Sequence, residues 1–119
     1  MRTIAQLLVA LVAILHVWFL VMEMFLWTTP YGRRAFGTTQ EQAEQSKVLA
    51  MNQGLYNGFL SAGLFWGLSL GAAGHGVVIF FLLCVIAAGV FGAVTASRKI
   101  LYVQAVPAVV ALGACLVSW

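Results

Sequence analysis

Between residues 76 and 96 the chain carries no charged side chain at all. Three further stretches, 3–27, 47–70 and 100–119, are dominated by apolar residues. A helix needs about 20 consecutive apolar residues to cross a bilayer. A membrane barrel would instead alternate apolar and polar residues over segments of about 10. The four runs therefore predict an all-α membrane protein: an antiparallel, up-down four-helix transmembrane bundle forming one domain over 1–119.

Charge content excludes the soluble alternative. Soluble domains carry roughly a quarter charged residues, whereas this chain has 8% against 63% hydrophobic. Six basic and three acidic side chains cannot give so apolar a chain a polar exterior, so lipid must serve as part of its solvent. Arg2 ahead of an apolar stretch has the look of a secretory signal. The stretch is too long for one and lacks a small-residue cleavage site, so it reads as a retained first span. Cys84 and Cys115 fall inside apolar runs and read as small apolar filler. Both are expected toward one membrane face, and whether they pair is left open.

The connections set the topology. The long one, 28–46, opens with the turn signal Pro30-Tyr31-Gly32. Thr38-Thr39-Gln40-Glu41 has the form of a capping box, so a helix is expected from near Thr39. Glu41 and Glu44 would then lie in first turns, where the helix dipole favours them, and the second span would begin outside the bilayer. The connections at 71–75 and 97–99 are short and force antiparallel neighbours. Arg33, Arg34, Lys47, Arg98 and Lys99 fall on one side, against Arg2 alone on the other. That bias predicts a multi-pass plasma-membrane protein with both termini non-cytoplasmic and connections 28–46 and 97–99 cytoplasmic. The same basic residues read as anionic-lipid contacts. They are too few for a nucleic-acid surface.

Small residues mark the packing seams. Gly54 and Gly58, then Gly63, Gly67 and Gly71, recur four apart along the second span, a spacing that lets helix backbones approach in lipid. Gly54 and Gly63 point in nearly opposite directions, so this span should pack between two partners. Gly89, Gly92, Ala93 and Ala96 form a similar seam in the third span. Packing within the chain is the first use of these seams, and a homodimer contact is the alternative.

Polar residues inside the spans carry the functional reading. Glu23 is the one acidic residue within a span, with His16 two helical turns earlier on the same stripe, about 10 Å away. Intramembrane carboxylates are costly and usually face a bundle interior. The second span supplies Asn52, Gln53, Tyr56 and Asn57, and the fourth supplies Gln104 near Pro107. Counted by depth, these side chains gather in the cytoplasmic half. They are the candidate ligand-binding residues, with Glu23 taking a proton or cationic group and the amides supplying oriented hydrogen bonds. Trp27, Tyr31, Tyr102 and Trp119 lie near span ends, where aromatic residues favour the interface. No residue is assigned a catalytic role, and no metal or other cofactor is expected. Three His and Glu positions (His16, Glu23, His75) lack ligand spacing, and no phosphate loop or activated nucleophile is present.

The runs Glu23-Met24-Phe25-Leu26-Trp27 and Lys47-Val48-Leu49-Ala50-Met51-Asn52-Gln53-Gly54-Leu55-Tyr56-Asn57-Gly58 carry a family resemblance. With the Arg98-Lys99 turn and Gln104-Ala105-Val106-Pro107, the chain resembles, over nearly its whole length, a family of small bacterial and fungal four-span membrane proteins of unknown function. The resemblance implies the fold and is silent on activity. A looser architectural likeness is to small multidrug exporters, which have a glutamate in the first of four helices, although here the glutamate lies nearer the helix end. The sequence thus points first to a membrane protein that binds, and as a transporter would carry, a small organic or cationic ligand. The alternatives are an intramembrane enzyme on a lipid-like substrate, with Glu23 and His16 as acid and base, and a structural membrane subunit.

Overall fold

A computed structural model describes residues 2–95, 99 and 101–119. Among them the fold is all helical. Helix α1 spans Arg2–Met24, α2 Pro30–Phe36 and α3 Gln40–Ser69. A 3-10 turn over Gly71–Gly74 leads into α4, His75–Thr95. A π-helical turn, Leu101–Ala105, precedes α5, Val106–Ser118. Of the connection expected at 97–99, only Lys99, which is exposed, lies among the described residues.

The described chain forms two compact units, one comprising residues up to Ile14 with Leu60–Trp119, the other Leu15–Phe59. The first has a core to which four helices contribute: Ala5, Val9, Val12 and Ala13 from α1, Leu64 from α3, Val78, Leu82 and Val85 from α4, and Ala108, Ala111 and Cys115 from α5. Small side chains dominate this core. Leu64 and Leu82 are its largest members, and many other apolar side chains point outward, among them Leu7 and Leu11 on α1, Phe80 and Phe91 on α4, and Val109 and Leu116 on α5, with Val94 as much as 82% exposed. Close backbone approach explains how small residues suffice. A Cβ on Gly63 would lie 2.4 Å from the Phe81 ring, and one on Gly67 would lie 2.5 Å from Val78. Gly89 meets Ala105 in the same way, at 2.8 Å. Ser61 Oγ donates to the Ala13 carbonyl at 2.8 Å and adds a buried polar tie between α3 and α1. Both cysteines are free thiols.

At the start of α5, Pro107 occupies one of the first two helical positions, where a missing N–H matters least, and the π turn just before it takes up the irregularity. The turn from α3 to α4 uses Gly71 at φ +63°. It is closed by the far end of the chain. His75 Nε2 donates to the Cys115 carbonyl at 3.0 Å, and Trp119 Nε1 donates to the Ala72 carbonyl at 3.2 Å.

The second unit holds an element the sequence reading did not separate. Pro30-Tyr31-Gly32 is not a bare turn. Thr29 caps α2, accepting from the Gly32 amide at 3.1 Å while its hydroxyl donates to the Leu26 carbonyl at 2.6 Å. Pro30 takes the first helical position, which suits its fixed φ. A Cβ on Gly32 would sit 1.9 Å from the Leu26 carbonyl oxygen, so only glycine permits this approach. Trp27 stacks on Phe36 at 4.7 Å and donates to Ser46 Oγ at 3.1 Å, tying α2 to the first turns of α3. The capping box also lies one residue later than its expected form. Thr39 accepts from the Gln42 amide at 3.1 Å, and its own amide donates to Gln42 Oε1 at 2.9 Å. Thr38 is unavailable as the cap because its amide donates to the Arg33 carbonyl at 3.0 Å in closing α2.

Candidate functional site

Within the second unit, α1 and α3 meet along a glycine groove. A Cβ on Gly54 would lie 2.7 Å from Met24 Cγ and 3.1 Å from Glu23 Cβ, and one on Gly58 would lie 2.7 Å from Leu20 Cδ1. Leu20 and Glu23 are three apart, so they share one stripe of α1 with His16. The groove brings two backbones close enough for side chains flanking the glycines to touch. Asn57, between Gly54 and Gly58, donates from Nδ2 to Glu23 Oε1 at 2.5 Å.

Burial makes this pair chemically distinctive. Glu23 is 4% exposed, Asn57 8% and His16 0%. His16 sets its ring edge against Phe19 at 5.0 Å. A carboxylate removed from water needs hydrogen-bond donors or an opposite charge, and the donor aimed at Glu23 here is a neutral amide. A carboxyl group so placed can hold a proton or accept a cationic donor. It is also the kind of group that structural packing alone does not require.

The remaining expected site residues are arranged differently. Gln53 is one turn from Asn57, yet it is exposed, as is Asn52. Tyr56 is 63% exposed, with its ring against Phe59 at 5.9 Å. Gln104 belongs to the π turn of the first unit and is half-buried. The structure thus joins Glu23 to Asn57, buries His16 on the same stripe of α1, and leaves Asn52, Gln53 and Tyr56 on outward faces of α3. The angular positions explain the division. Measured from Gly54 at about 100° per residue, Asn57 and Gly58 lie within about 60° of the groove, Gln53 about 100° away, and Asn52 and Tyr56 about 160° away. Ala50, about 40° from Gly54 by the same count, is buried. The sequence holds that signal, provided the angles are taken from the glycines rather than from the polar residues.

These features define the chain as a small all-helical protein with a buried carboxylate–amide pair beside a glycine groove. It belongs to the family described as "Protein of unknown function (DUF1304)", which matches residues 10–116. It is also similar to the uncharacterized protein YpaA of Lactococcus lactis subsp. lactis (strain IL1403), with 31% identity over 104 residues, covering 86% of this chain and 87% of the relative. No solved structure matches it.

Proposed function

We propose that this chain is a multi-pass plasma-membrane protein, a single four-span helical domain, that binds a small organic or cationic ligand at Glu23. As a transporter it would carry that ligand from a cytoplasm-facing site. Two helices, Arg2–Met24 and Gly71–Thr95, are long and apolar enough to cross a membrane. Large apolar side chains on the outside and small ones in the core support lipid as the surrounding solvent, because helices in lipid associate through close packing of small residues. The buried Glu23–Asn57 pair carries the ligand reading. On this reading Glu23 supplies the charge, Asn57 orients its carboxyl and His16 closes the deep end, while Asn52, Gln53 and Tyr56 face away from the pair.

Native mass spectrometry of the protein purified in mild detergent, beside Glu23→Gln, tests the proposal. The expected result is a stoichiometric small-molecule adduct on the wild-type protein that is absent from the variant. No adduct on either protein, or the same adduct on both, would overturn it.

A further inference from the structure

Arg33 and Arg34 stand in the last turn of α2. Gly37 ends that helix at φ +68°, and the chain folds back so that both the Gly37 and Thr38 amides donate to the Arg33 carbonyl. The result is a recess of about 330 Å³ lined by Pro30, Arg33, Arg34, Gly37 and Thr38. Two arginines and one threonine line it, and no acidic residue does.

Two polar atoms of residues that line this recess, Arg33 Nε and Thr38 Oγ1, are buried with no hydrogen-bond partner among the described residues. Such orphans are rare in folded proteins and ask for an explanation. Complementing the carbonyl end of α2 accounts for basic residues in its last turn. It does not account for a buried Nε and a buried hydroxyl on the far side of a glycine reversal.

We infer that the Arg33–Arg34–Thr38 recess is a binding site for a phosphate group, supplied by a lipid headgroup or by a soluble phosphate. Guanidinium forks match phosphate oxygens in paired hydrogen bonds. A terminal phosphate presents three or more acceptor oxygens, enough to take the Nη groups of Arg33 and Arg34, with Arg33 Nε and the Thr38 hydroxyl met once their side chains turn toward it. A carboxylate, with two oxygens, would leave one of these groups unmet. The site uses none of the residues assigned to the Glu23 ligand, so either reading can fail alone.

The purified protein in mild detergent is titrated with inorganic phosphate by calorimetry. Separately, it is mixed with dioleoyl phosphatidic acid or dioleoyl phosphatidylcholine and examined by native mass spectrometry. Arg33→Gln, Thr38→Val and, as a basic control outside the recess, Lys47→Gln are measured alongside. We expect a one-to-one complex with phosphatidic acid, with inorganic phosphate or with both. Retention of the lipid alone assigns the headgroup as the source, and binding of phosphate alone assigns a soluble ligand. Arg33→Gln should weaken binding about tenfold or more, Thr38→Val should weaken it by a smaller factor, and Lys47→Gln should leave it unchanged. Thr38→Val keeps both guanidinium groups and reports on the recess should Arg33→Gln fail to fold. Absence of both complexes, or equal weakening by Lys47→Gln, would overturn the assignment and leave a diffuse basic surface.

Discussion

Asn57 and Gln53 are the same kind of residue one turn apart, and α3 treats them oppositely. Asn57 is buried against Glu23 and Gln53 faces out. Residue type singled out Glu23, His16 and Asn57 as polar side chains among apolar ones, and all three are buried. The orientation of each amide is legible only when angles are measured from the seam glycines, because a step of four residues turns a helix by about 40° and the packing partner decides which side of the seam is buried. The Glu23–Asn57 contact gives a prediction that separates a ligand site from mere helix glue. Interhelical hydrogen bonds in membranes contribute about 0.6–2 kcal/mol. Asn57→Leu should therefore lower stability by about 1–2 kcal/mol, as read from reversible unfolding in micelles. Glu23→Gln retains an acceptor oxygen for Asn57 and should change stability by less than about 1 kcal/mol, although it removes the charge a ligand would use. A Glu23→Gln protein as unstable as Asn57→Leu would assign the carboxylate a structural role.

Glycine does different work in different elements. Along α3 the four-residue spacing announced two seams, and both are found: Gly54 and Gly58 against α1, Gly63 and Gly67 against α4. That pattern is legible because close approach of two helix backbones leaves little choice but small residues. Helix α2 was less legible. Thr29-Pro30 is a helix start by its capping chemistry, but seven residues carry too little periodicity to announce a helix, and Pro30 with Gly32 reads equally as a turn. The two glycines of this element make distinct demands. Gly32 has a carbonyl oxygen 1.9 Å from where a Cβ would be, whereas Gly37 has nothing within 4 Å and needs only its left-handed backbone. Gly32→Ala should therefore cost about 3 kcal/mol through forced overpacking, and Gly37→Ala about 1–2 kcal/mol through backbone strain. Comparing thermal midpoints of the two variants checks the order. A Gly37→Ala protein less stable than Gly32→Ala would contradict the geometry of the α1–α2 turn.

At the scale of the whole chain, many large apolar side chains are exposed among the described residues. Alanine and valine, with Leu64 and Leu82, fill the core of the first unit, while other leucine, phenylalanine and valine side chains cover its outer faces. Helical fold class was legible from the length of the continuous apolar runs. Helix α3 is harder to read as a span because its first turns are polar and it carries amides as far as Asn57, and among the described residues only α1 and the Gly71–Thr95 stretch holding α4 are long and apolar enough to cross a membrane. Whether α3 crosses the bilayer is thus the most direct test of the account. In a Cys84→Ser, Cys115→Ser background, single cysteines at Gln40 and Ala73 are reacted with a membrane-impermeant maleimide in right-side-out and inverted membrane vesicles. The account predicts that Gln40→Cys labels in inverted vesicles and Ala73→Cys in right-side-out vesicles. Labelling of both positions from one side would contradict a spanning α3, and with it the four-span bundle in which the Glu23 site is placed.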